Sequence, residues 1–165
     1  MGKSVVRVIA TGGTIDEDHS DPVTGKSRFT HSHVPEMLVG AGVMNDVTFE
    51  LLMLKDSSDI NEGDRKKILE RCLSCPEKRI VITHGTNTMV ETAVMLGKNI
   101  FGKTVVLVGA FVPFTRKGSD AVPNLRYAVA KARQLPPGVY VAMNGQVFSW
   151  DNVRKNKKGL IFESS

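Results

Sequence analysis

Short β-branched runs alternate along this chain with longer stretches of helical period. Val5-Val6-Arg7-Val8-Ile9-Ala10, Val47 to Leu54 and Arg79-Ile80-Val81-Ile82-Thr83 predict three strands. Thr104 to Val108, Val139 to Met143 and Leu160 to Phe162 predict three more. Between the runs, Asn61 to Ser74 reads as a helix, because Ile68/Cys72 and Leu69/Leu73 stack one turn apart while Lys66, Lys67 and Glu70 supply a polar side. Asn87 to Lys98 predicts a second helix, with Gly97 near its end. Val122 to Leu135 predicts a third: Val122, Leu125, Val129 and Ala132 fall on one stripe, and Pro136-Pro137-Gly138 stops it. Strand–helix–strand alternation implies an α/β fold, an open mostly parallel sheet with helices on both faces. No repeat, low-complexity tract or linker interrupts residues 1–165, so a single domain is expected.

One segment escapes the pattern. Asp16 to His33 is polar, carries Pro22 and Gly25, and has no apolar period. A loop that long in a compact domain is either an active-site lid or a disordered surface excursion, and this one leaves almost directly from the first strand.

Composition narrows the classes. With 165 residues, 41% hydrophobic and 24% charged, the chain is about one globular domain long and is neither disordered nor fibrous. At that size folding buries roughly 70% of the unfolded surface, enough for a core without staples. Lys and Arg outnumber Asp and Glu by 22 to 17, a net +5. That excess permits an anionic partner, but no stretch interleaves dense Lys/Arg with aromatics, so nucleic acid is not indicated. The densest basic run, Arg154-Lys155-Asn156-Lys157-Lys158, reads mostly as solvated surface. No apolar run approaches the ~18 residues of a membrane span. Met1 to Arg7 lacks the apolar core of a signal peptide, so the chain reads as cytoplasmic.

The two cysteines, Cys72 and Cys75, form a lone C-x-x-C. Zinc would need two further ligands, and His19, His31, His33 and His84 offer no matching pair, so buried, reduced thiols are expected. His31 and His33 alternate without a third ligand, and no metal is expected there either. His84 ends an apolar strand and reads as a structural hydrogen-bonder.

Two segments share one arrangement, an apolar strand followed by a Gly/Thr-rich turn: Ala10-Thr11-Gly12-Gly13-Thr14 and Thr83-His84-Gly85-Thr86-Asn87-Thr88. In a sheet of this Rossmann/flavodoxin-like kind both turns lie at the carboxyl edge, where ligands bind. Neither turn gives G-x-G-x-x-G, and no segment gives G-x-x-x-x-G-K-[ST], so a nucleotide site is not indicated. Two readings of the threonines stay open: hydroxyls poised for attack on a carbonyl, or caps of the following helices.

Ala10-Thr11-Gly12-Gly13-Thr14-Ile15 and His84-Gly85-Thr86-Asn87-Thr88-Met89 closely resemble the two signature motifs of the bacterial-type L-asparaginases. The resemblance extends to Asp56-Ser57-Ser58-Asp59, Val108-Gly109-Ala110 with Pro113, Ser119-Asp120 with Asn124-Leu125, and the Asp151 to Lys155 stretch. It covers the family's N-terminal catalytic domain and not its smaller C-terminal one, so the chain reads as a short form. The resemblance implies hydrolysis of L-asparagine to L-aspartate and ammonia, with no metal or organic cofactor and with a homo-oligomeric habit. It implies that Thr14 is the nucleophile, Thr86 the second threonine beside the scissile amide, and Lys155 the lysine of the proton network. Ser57 and Ser58 fall where the family holds the substrate's α-carboxylate and α-ammonium, with Gly13 and Gly85 beside them.

Three departures accompany the resemblance. The family's H-G-T-D-T is H-G-T-N-T here, and Asn87 keeps the shape of the aspartate but is neutral and cannot act as a base. A natural variant and an installed inactivating change both fit. No tyrosine occurs in Asp16 to His33, where the family carries one to orient the nucleophile, so Phe29 or His31 would have to assist Thr14. The C-terminal domain normally lends groups to a neighbouring subunit's site, and selectivity is open without it. Two alternatives accompany the amidohydrolase reading: an amidase supplying ammonia to tRNA-dependent amidation, and an amino-acid-binding protein silenced by Asn87.

Overall fold

The computed structural model describes residues 5–156, 158 and 161–165. Its frame is a six-stranded sheet built from β1 (Val6–Gly12), β4 (Val47–Lys55), β5 (Arg79–Thr83), β6 (Thr104–Val108), β7 (Gly138–Met143) and β8 (Gln146–Ser149). The spatial order is β4-β1-β5-β6-β7-β8, parallel throughout except for β8. The strands between the edges are apolar on both sides because both faces are covered. Ile9, Ile80, Ile82, Val106 and Leu107 are wholly buried, whereas edge strand β4 is half-buried along its length.

Helices α1 (Val34–Gly40), α2 (Glu62–Ser74), α3 (Met89–Asn99) and α4 (Ala121–Gln134) cover the sheet. Helix α2 starts at a reciprocal cap in which the Asn61 side chain accepts from the Asp64 amide and Asp64 accepts from the Asn61 amide. The expected apolar stripe of α4 is buried at Leu125, Val129 and Ala132, and Val122 packs on Gly40 of α1.

Side-chain direction assigns the helices to faces. Arg79 and Thr104 are register neighbours, and both reach the C-terminal carbonyls of α4: Arg79 Nη1 donates to Ala132 O at 2.5 Å and Thr104 Oγ1 to Leu135 O at 3.2 Å. Arg7 points to the opposite face, where it meets Glu50 at 2.8 Å, and Arg71 of α2 grips the same carboxylate at 2.6 Å. Helix α1 joins α4 through Arg126 Nε donating to Ala41 O, and α3 joins α2 through Arg65 Nε donating to Thr92 Oγ1. The steps β5→β6 and β6→β7 run the same way across the sheet, yet their helices lie on opposite faces. Three crossovers therefore share one hand and the one through α4 has the other, the left-handed exception to a rule obeyed by ~98% of such units. This carries the segment between β6 and α4 over the carboxyl edge to the start of the first loop, where Phe114 N donates to Ile15 O and Thr115 Oγ1 to Glu17 O.

Two expectations change, and one strand is new. The expected last strand, Leu160 to Phe162, is not in the main sheet: Ile161–Glu163 (β10) pairs antiparallel with Arg154–Asn156 (β9), and Leu160 lies outside the described residues. Strand β8 is not legible from its mixed pattern, although Asn144-Gly145, both at positive φ, supply the two-residue turn that folds it back on β7. The 16–33 segment is not structureless. After a 3-10 turn at Thr14–Asp16 it forms a small hairpin, His19–Ser20 (β2) against Ser27–Arg28 (β3), and hands over to α1 at His33.

Gly97 is where α3 receives Trp150, and a Cβ there would lie 2.2 Å from the indole. Gly97→Ala is expected to cost about 1–3 kcal/mol in urea unfolding by forcing the ring out of place. An unchanged midpoint would show that Trp150 is not seated on α3.

Candidate active site

Three loops converge at the carboxyl edge, with the backbone of two glycines in direct contact with the neighbouring loop. Gly13 sits at φ 85°, and a Cβ there would meet Gly85 N at 2.3 Å; a Cβ on Gly85 would meet Ser57 Cβ at 2.5 Å. The Gly13 amide donates to Lys55 O at 2.9 Å, which ties the first loop to the end of β4. Thr14, half-buried, follows this packed glycine directly.

The second loop is fixed from below by a buried relay. His84, wholly buried, donates from Nδ1 to Gly85 O (2.8 Å) and accepts at Nε2 from Thr92 Oγ1 (2.9 Å), which in turn accepts from Arg65 Nε (3.1 Å). That pattern requires a neutral imidazole, and burial lowers its pKa to about 4. His84 is a structural hydrogen-bonder in this fold.

Above this base Lys155 Nζ donates to Thr86 Oγ1 at 2.9 Å and to Asn87 Oδ1 at 3.1 Å, while Asn87 Nδ2 reaches Ser58 Oγ at 3.4 Å. Thr86 is buried and Asn87 exposed, so the group faces outward from a rigid floor. The displaced hairpin of β9 and β10 delivers the lysine. Phe162, directly opposite Lys155 in that hairpin, is buried and packs near Phe111, whose ring centroid lies 5.7 Å beneath Lys155 Nζ. Nothing in the sequence pattern singles out Phe111; its position follows from Asp120, which accepts from the Phe111 and Val112 amides and holds the segment before α4.

The predicted residues thus sort unevenly. Thr86, Asn87, Lys155 and Ser58 form one hydrogen-bonded group. Ser57 is buried and turned to the second loop, its Oγ accepting from Thr88 N at 3.4 Å and its carbonyl from Thr88 Oγ1 at 2.8 Å. Gly13 and Gly85 serve the contact between loops. The His31 ring engages Thr30 Oγ1 at 3.1 Å rather than Thr14. Cys72 and Cys75 are free and buried, and burial pushes the Cys72 thiol up to about 12, which makes it inert.

The first loop is cross-braced by carboxylates. Asp16, buried, accepts from Ser32 Oγ and from the His33 amide, both at 2.7 Å, and so closes the loop's two ends. Burial raises its pKa against those two donors. The hairpin then leans on the turn after β4, where Lys26 Nζ meets Asp59 at 2.9 Å and Ser27 N reaches Asp56 Oδ2 at 3.4 Å. The Lys26–Asp59 pair is about half exposed on both sides and is screened by solvent. The hairpin is internally braced but lightly latched.

The family model described as Asparaginase, N-terminal matches residues 5–160. The chain belongs to the asparaginase family. It is 33% identical over 161 residues to the probable periplasmic L-asparaginase of Haemophilus influenzae, a match spanning 91% of this chain and 46% of that protein. It is 34% identical over 157 residues to one of the polypeptides of the glutamyl-tRNA(Gln) amidotransferase of Pyrococcus abyssi, spanning 88% and 34%. The L-asparaginase I structure from Vibrio cholerae superposes with a TM-score of 0.84 at 26% identity, covering 99% of this chain and 52% of that one. This asparaginase-family chain therefore spans about half the length of the relatives named L-asparaginase. Among its described residues no helix is long and apolar enough to cross a membrane.

His84 sets a pH dependence on folding. Its folded-state pKa is depressed, so between about 4 and 6.5 the unfolded chain binds the proton the native one refuses. The stability contributed by neutral His84 is complete above about 6.5 and is lost as pH falls toward 4. Urea midpoints should drop across that window in the native sequence and stay flatter in His84→Gln; parallel curves would discard the assignment.

Proposed function

We propose that this chain is an amidohydrolase that cleaves the side-chain amide of L-asparagine, with Thr14 as nucleophile and the Thr86–Lys155 pair moving the proton. The observation that carries the proposal is the lysine contact itself. Lys155 lies 69 residues from Thr86, yet its Nζ donates to Oγ1 at 2.9 Å with Asn87 Oδ1 at 3.1 Å on its other side. An amine in that position gives or takes a proton at a threonine hydroxyl, as attack on an amide and departure of ammonia both require. Backbone amides of the packed loops around Gly13 and Gly85 are the candidate donors to the developing oxyanion. Ser58, tied to Asn87, faces the same opening and suits the polar end of an α-amino acid.

Asn87 tunes this arrangement. It accepts from Lys155 as a carboxylate would, but it contributes no negative charge and relays no proton. Binding therefore survives better than turnover. The P. abyssi relative gives the ammonia-supplying reading its support; a substrate competition between free asparagine and charged tRNA separates the two. We further propose a homo-oligomer in a reducing, cytoplasmic setting, which suits two free buried thiols.

Ammonia release from L-asparagine tests the proposal. Asn87→Asp is expected to raise turnover by ~10²–10⁴-fold, the usual worth of acid–base assistance, with a much smaller change in KM. A variant no faster than the parent removes the lysine relay. Thr14→Val keeps shape and deletes the hydroxyl, so in the Asn87→Asp background it should abolish ammonia release while leaving the unfolding free energy within about 1 kcal/mol. Undiminished release would move the nucleophile elsewhere.

A further inference from the structure

We propose that His31, His33 and Glu36 form a binding site for one divalent transition-metal ion of the zinc class. The sequence offers only two alternating histidines here, and the first turn of α1 adds the missing third group. His33 ends the loop and Glu36 lies one turn on, so their side chains rise on the same side. His33 Nδ1 and His31 Nε2 each lie 3.7 Å from the same atom, Glu36 Oε1, and the three ligand atoms all fall within 4.8 Å of one another. Ligands around a tetrahedral zinc at its usual bond lengths stand about 3.3 Å apart, so both nitrogen–oxygen separations need only a few tenths of an ångström of closure. His31 and Glu36, both 60% exposed, are free to supply that movement.

The far sides of the rings are already prepared. His33 Nε2 is held by Asp18 Oδ1 at 2.6 Å, which orients the ring and leaves Nδ1 for the ion, as carboxylates do behind metal-bound histidines. His31 Nδ1 engages Thr30 Oγ1 at 3.1 Å and leaves Nε2. The same Asp18 accepts from the Thr30 amide and hydroxyl, so one carboxylate sets both histidines. Phe114 lies alongside the His33 ring at 5.8 Å and limits its rotation. Two imidazoles and one carboxylate with open positions suit zinc, cobalt or nickel and are a poor set for magnesium or calcium, which take oxygen ligands. The ion would pin the end of the first loop to α1. None of its ligands belongs to the Thr86–Lys155 group, so the site holds or fails independently of the amidohydrolase reading.

Chelator-treated protein titrated with zinc chloride by calorimetry, and with cobalt(II) by visible absorption, decides the matter. One equivalent per chain is expected, with cobalt d–d bands of a nitrogen-containing site. His31→Ala and Glu36→Gln change exposed side chains, and each should weaken zinc binding by at least ~10-fold and erase the cobalt bands, whereas His19→Ala should leave both intact. No uptake at submillimolar free zinc, or uptake unaltered in both His31→Ala and Glu36→Gln, overturns the proposal.

Discussion

Everything at the carboxyl edge depends on glycine backbone touching the next loop where a side chain would usually intervene. Gly13 lies against Gly85, and Gly85 against Ser57, at separations no Cβ could share. Close-packed interiors transmit displacement rather than absorb it, so adding one methyl group at either glycine would move two loops at once. The contact joins the loops that carry Thr14, Thr86 and Ser58, although they leave three different strands, β1, β5 and β4. It also explains the buried support beneath it: the Arg65–Thr92–His84 relay satisfies the Gly85 carbonyl, which a tightly packed turn would otherwise leave without a donor.

Electrostatics then acts on a surface already rigid. Lys155 comes from outside the main sheet, on a short hairpin anchored by the buried ring of Phe162. Its ammonium rests over Phe111 and between two side-chain oxygens, one of them the Asn87 amide. An amide at such a point holds the lysine by a hydrogen bond without adding negative charge. The left-handed crossover through α4 matters for the same reason. By crossing to the α1 face it sends the segment carrying Phe111 and Phe114 past both the lysine and the first loop.

That loop is braced internally and is tied at its base to the segment before α4. Asp16, Asp18 and Asp21 each accept from two or more donors within it. Its contacts to the turn after β4, at Asp56 and Asp59, are long or exposed.

The strands β1, β4, β5, β6 and β7 and the helices α2, α3 and α4 were legible because each is long enough for its own period and is flanked by its own cap or breaker, as at Asn61 and Pro136-Pro137-Gly138. The two Gly/Thr turns were legible for the same local reason. Strand β8, the β2–β3 hairpin and the pairing of β10 were not, since two to four residues carry too little pattern to outweigh their surroundings and owe their form to the strands they pair with. The side on which α4 packs, the seat of Lys155 over Phe111, and the meeting of His31, His33 and Glu36 were settled only by the tertiary structure. Local sequence encodes propensity and period; which side chains share a few ångströms depends on how the whole sheet is covered.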